Sequence, residues 1–139
     1  MFINENEKTI PALPVQSIKQ SCEYYTNKLG FRIRHQEETF AIAVRDDIEI
    51  HLWQSCDNSW KWRSLFLALR PIRTGAESFI AGTASCRIEV QGIEELYEEY
   101  KNQGVLHSPD AKMKNSIGVT KNFPVVDLYR NLLTFYEVM

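Results

Sequence analysis

Cysteine is scarce in this chain of 139 residues, and what there is does not pair into a pattern. Cys22, Cys56 and Cys86 are odd in number, widely spaced and contain no CxxC, which fits reduced thiols better than a disulfide framework or zinc knuckle. Charge of one sign is also lacking: the formal net charge is −2, and no lysine and arginine run forms a basic patch, so no nucleic-acid partner is expected. Long hydrophobic runs are missing. The most apolar stretch, residues 65–69, is flanked by arginines and is far too short to cross a bilayer, so no membrane partner is expected. The first residues lack the basic-then-apolar order of a signal peptide, and a cytoplasmic location is expected. There is no GxSxG, HExxH, GxGxxG or phosphate loop, which leaves hydrolase and nucleotide-binding readings without a motif.

What is present is ordinary globular composition, 44% apolar and 24% charged, in a length that suits one domain. That domain carries an internal echo. Shifting the sequence so that Val15 falls on Val90 also places Gln16, Ile18, Glu23, Tyr25 and Asn27 on Gln91, Ile93, Glu98, Tyr100 and Asn102. Both segments read as helices. Ile18, Cys22, Tyr25 and Leu29 form one apolar stripe, as do Ile93, Leu96, Tyr97 and Tyr100. Ser17 is a natural N-cap, and Gly30 and Gly104 are natural stops because glycine takes positive φ without steric cost.

Extended sequence precedes each helix, at residues 12–15 and 86–90, and strand-like sequence follows it. In the first half the strands are expected at residues 31–34, 40–44 and 48–53, with a turn at 45–47. In the second half they are expected at 105–107, 118–121, 124–126 and 132–138. The reading is therefore α+β: two βαβββ modules in a single domain over residues 1–139, at about 8–57 and 83–139, with a connecting segment at about 58–82. Residues 65–69 and 74–80 are expected to add short elements to that segment.

The strand at 48–53 shows which faces point inward. Ile48, Ile50 and Leu52 alternate with Glu49, His51 and Trp53, so the aliphatic row lies under the helices and the other row on the opposite face. In the second half Ser85, Arg87 and Glu89 alternate with Cys86, Ile88 and Val90, and Leu132, Thr134 and Tyr136 with Leu133, Phe135 and Glu137. These mixed polar and aromatic rows fit either a solvated sheet surface or, if the two sheets face each other, the walls of a concave pocket. Trp60 and Trp62 either close one side of such a pocket or anchor the connection. The candidate ligand-binding set is Glu49, His51, Trp53, Trp60, Trp62, Arg87, Thr134 and Tyr136, with Arg87 free to pair with Glu49 or with an anionic group. His35 and His107 are expected on surface turns.

These residues carry a resemblance. The opening run from Ile10 to Val15, then Ser17, Ile18, Tyr24, Tyr25 and Lys28 to Phe31, is similar to the first strand and helix of bleomycin-resistance proteins. The 48–53 strand with Cys56 and Asp57, and the ending Val125, Val126, Asp127 and Asn131 to Phe135, resemble later strands of that group. The group belongs to the glyoxalase / bleomycin-resistance / dioxygenase (vicinal oxygen chelate) superfamily. The resemblance implies paired βαβββ modules around a groove, a curved and mostly antiparallel sheet, and a homodimer. Enzymatic members hold a divalent metal with four inward side chains, and the matching positions here are Ile10, His51, Ser85 and Thr134. Only His51 is a firm ligand, where a catalytic site needs about three. The resemblance thus implies a protein that sequesters a small molecule without metal, cofactor or catalytic residue. The alternative is a metal-dependent lyase or dioxygenase built on Glu49 and His51. The family's Asp-Pro-Asp-Gly-Asn turn has lost its proline and glycine in Asp127, Leu128, Tyr129, Arg130 and Asn131, so that turn must be built otherwise.

Overall fold

The computed structural model describes residues 8–55, 81–82, 84–116 and 118–139. Trp60, Trp62, Cys56, Asp57 and the short elements expected at 65–69 and 74–80 lie outside the described residues.

The first module runs β1 (Ala12–Val15), α1 (Ile18–Asn27), β2 (Arg32–Gln36), β3 (Phe40–Arg45) and β4 (Ile48–Gln54). The second repeats it with β5 (Ser85–Glu89), α2 (Ile93–Gln103), β6 (Lys114–Ser116), β7 (Thr120–Val126) and β8 (Leu132–Val138). Each module makes its own four-stranded sheet, in the orders β1-β4-β3-β2 and β5-β8-β7-β6. Each is antiparallel except where the strand before the helix runs parallel to the module's last strand. The duplication reaches the register: Ala12 lies opposite His51 as Arg87, its counterpart under the sequence shift, lies opposite Thr134.

Both helices form where the stripes place them. Ser17 accepts a hydrogen bond from Gln20 N at 3.2 Å and caps α1. Gly104 ends α2 at φ +70°. Their buried sides share one core with the inner sheet faces. Ile18 and Tyr25 pack with Ile50 and Leu52, and Ile93 and Tyr100 with Phe123, Leu133 and Phe135. No described helix is long and apolar enough to cross a membrane.

Several local expectations are corrected. The pieces at 118–121 and 124–126 are one strand, β7, running through Pro124. Residues 105–107 form no strand and contribute an isolated bridge from Leu106 to Val125. The short β6 has no counterpart in the expectations. His35 lies within β2 and not on a turn. The two sheets do not face each other across a pocket within the chain. Their aliphatic faces converge on the shared core, so the rows bearing His51 and Thr134 point away from it.

The turn from Asp127 to Asn131 manages without glycine. Asp127 Oδ1 accepts from Tyr129 N at 3.0 Å and Asn131 N at 2.9 Å, and Arg130 takes φ +73°, the left-handed conformation usually left to glycine.

Candidate functional site

On the first module the outward row of β4 is Glu49, His51 and Trp53, as the alternation requires. Glu49 is the organising charge. Its side chain is only 8% exposed, and both oxygens are engaged. Oε2 takes the Nε2–H of His51 at 2.8 Å; Oε1 takes Lys8 Nζ at 3.2 Å and stands 3.1 Å from Arg34 Nη1. The His51 hydrogen bond first, then Lys8 and Arg34, hold the Glu49 carboxyl below its ordinary range against the cost of desolvation. Arg34 reaches this cluster because the β2–β3 register shifts between Ile33 and His35, leaving it as the extra residue of a bulge.

Beside this cluster stands a ring row with Phe40 at its centre. Phe40 lies opposite Trp53 in the β3–β4 register, with ring centroids 4.5 Å apart, and meets the His51 ring edge-on at 5.2 Å. Trp53 is 44% exposed, so a large aromatic face is left open to solvent. Phe40 is the residue that the candidate set lacks. The signal was available in its strand, where Phe40 and Ile42 alternate with the small Ala41 and Ala43.

On the second module Arg87 lies opposite Thr134 and Glu89 opposite Tyr136. The Arg87 guanidinium carbon sits 4.8 Å from the Tyr136 ring centre, a cation–π contact. Arg87 therefore does not pair with Glu49, whose described partners all belong to the first module. The structure brings Glu49, His51 and Trp53 together on one face, and Arg87, Thr134 and Tyr136 on another. It does not join the two faces within one chain.

The positions that match the metal-holding ones do not assemble a metal site. Register places Ala12 opposite His51 and Arg87 opposite Thr134; Ile10 has no donor atom in its side chain, and serine and threonine hydroxyls are weak neutral ligands. His51 commits Nε2 to Glu49. Among the described residues no three histidine, cysteine, aspartate or glutamate side chains converge.

A cleft of about 920 Å³ lies between the modules. Arg45, Asp47, Glu95, Glu99 and Glu137 are among its walls, and none of the described candidate residues is. Arg45 crosses it, donating from Nη1 and Nη2 to Glu99 at 2.6 and 2.9 Å and from Nη1 to Leu29 O at 2.7 Å. The cleft is thus braced by an ion pair and offers no exposed ring.

No family model matches the sequence. Over 130 residues the chain is 47% identical to bleomycin resistance proteins of Geobacillus stearothermophilus and Staphylococcus aureus, covering 94% of this chain and 96% of each relative. Its fold is similar to that of a bleomycin resistance determinant encoded on transposon Tn5, with TM-score 0.68, 17% identity and coverage of 96% and 98% of the two chains. It is also similar to a bleomycin-binding protein from Streptomyces verticillus complexed with copper(II)-bleomycin, with TM-score 0.66, 19% identity and coverage of 96% and 97%.

Proposed function

Because the chain belongs to the bleomycin resistance protein family, we propose that it protects by binding bleomycin or a chemically similar compound and holding it unaltered. The observation that carries this reading is the 47% identity maintained over 94% of the chain. The half-exposed ring row and the weak donors at the positions that match the metal-holding ones support it chemically. Binding needs a large, rigid contact surface, which Phe40 and Trp53 offer at low entropic cost. Catalysis in this superfamily needs ligands that Ile10, Ser85 and Thr134 do not supply.

The divergence of the two rows bears on how such a groove forms. A site that uses both takes the first-module face of one chain and the second-module face of another, which makes the working unit a homodimer with two equivalent grooves. In this reading Phe40, Glu49, His51 and Trp53 come from one copy, and Arg87, Thr134 and Tyr136 from the other. The unpaired thiols of Cys22 and Cys86 support a cytoplasmic location in this reading.

The test is calorimetric titration of the purified chain with bleomycin, alongside sedimentation analysis. Saturable binding at one ligand per chain, by a species of twice the chain mass, is the expected result. Absence of binding at ligand concentrations in the high micromolar range overturns the reading.

A further inference from the structure

Asn131 is fully buried, and its side chain is bonded to both modules at once. Nδ2 donates to the Pro14 carbonyl of β1 at 2.7 Å and to Asp127 Oδ2 at 3.0 Å. Oδ1 accepts from Gly82 N at 3.2 Å and Ala84 N at 3.3 Å, where the chain enters β5. All the donor and acceptor capacity of the amide is used. The turn itself does not require this. Asp127 Oδ1 and the hydrogen bond from Asp127 N to Asn131 O already close it. The amide's bonds to Pro14, Gly82 and Ala84 instead reach outward, to the first strands of the two sheets.

Those strands neighbour the two candidate faces. Pro14 lies opposite Trp53 in the β1–β4 register. Ala84 directly precedes β5, which carries Arg87, and its carbonyl accepts from Leu132 N at the start of β8, which carries Thr134 and Tyr136. Among the described residues, no strand of one sheet is hydrogen-bonded to a strand of the other. The relative placement of the faces therefore rests on core packing, which is non-directional, and on bridges such as this one, which are directional. The Arg45–Glu99 pair also joins the modules, but at the cleft and away from both first strands.

We infer that Asn131 is a positioning residue for ligand binding, fixing the strand pair behind Trp53 relative to the strand pair behind Arg87 and Tyr136 without touching ligand itself. The inference rests on the reading of these faces as the walls of the ligand groove. In a pair of chains that share two grooves, one chain's two faces must both meet the partner's, so an altered angle within a chain misaligns both sites.

Bleomycin affinity is measured by titration at a temperature where each variant is fully folded by circular dichroism. Asn131→Ser shortens the bridge and is expected to bind about tenfold more weakly, since loosened support of a binding constellation degrades it without removing a contact. Tyr25→Phe removes a different bond of the same buried network and leaves both arms of Asn131 in place. It is expected to lower the melting temperature while keeping affinity within about twofold of the parent. Should Asn131→Ser fold poorly, the comparison is made in an Arg130→Gly background, with Arg130→Gly alone as its parent. Affinity for Asn131→Ser within twofold of its parent overturns the inference, as does a loss in Tyr25→Phe equal to that in Asn131→Ser. Failure of the unmodified protein to bind bleomycin instead overturns the functional reading.

Discussion

Tyr25 Oη donates to Asp127 Oδ2 at 3.0 Å, joining α1 of the first module to the β7–β8 turn of the second. The duplicate tyrosine does the same in reverse: Tyr100 Oη, on α2, donates to the Leu29 carbonyl of the first module at 2.6 Å. Both side chains are wholly buried. An identity visible as a repeat in the sequence is thus a pair of reciprocal ties between the repeats.

Asp127 makes the first tie consequential. It is buried, which raises its carboxyl pKa, while hydrogen bonds from Asn131, Tyr25 and the Tyr129 amide oppose that rise. Asp127→Ala leaves the Tyr25 hydroxyl and two turn amides without their acceptor and is expected to destabilise by about 3 kcal/mol. Urea denaturation reads this directly; a loss below about 1 kcal/mol is inconsistent with the network as described.

Arg130 occupies a left-handed position with an exposed side chain. Arg130→Gly relieves a local cost of about 1–2 kcal/mol and adds unfolded-state entropy worth somewhat less, so a net gain of about 0.5 kcal/mol is expected. Thermal melts of the two proteins at matched concentration test it, and a lower melting temperature in the variant contradicts the account.

Glu49 predicts a pH dependence of defined sign. Its folded-state pKa lies below the ordinary 4.5, so the ionised form is favoured by folding. This contribution is fully present above pH 4.5 and is lost as pH falls through the depressed folded value. Glu49→Gln should therefore melt below the parent at neutral pH, with the gap closing in acid. A gap that stays constant from pH 7 to pH 3, roughly the range over which carboxylates titrate, argues against the ion cluster.

Phe40→Ala and Trp53→Ala separate binding from folding on the ring row. Trp53 is nearly half exposed, so its removal is expected to cost little stability yet weaken bleomycin binding about tenfold, as aromatic anchors typically do. Ligand-induced change in tryptophan emission should shrink in the same variant. Unchanged affinity in both variants removes the ring row from the site.

Much of this was legible in the sequence because period and burial agree. The helical stripes around Tyr25 and Tyr100, and the alternation in β4 and β8, each set a buried apolar row apart from a more polar one. Where those signals are weak, reading fails. β6 is three exposed polar residues, Lys114, Asn115 and Ser116, with no apolar row to mark a face. The sequence reads as two pieces, 118–121 and 124–126, where β7 is one strand; β6 pairs only with Thr120 to Asn122, so Pro124 sits past the end of its neighbour, where its missing N–H interrupts no β6 bond. The outward row of β4 was foreseen but its electrostatics were not, since Lys8 and Arg34 come from other segments and a bulge invisible to alternation delivers Arg34.

That extra residue has a consequence for how copies of the chain can associate. β2 is the rim of its sheet, and there a broken register, with Arg32 and Arg34 solvent-facing, gives an incoming strand no continuous ladder to dock on. Ribbon-like growth is therefore disfavoured at that rim.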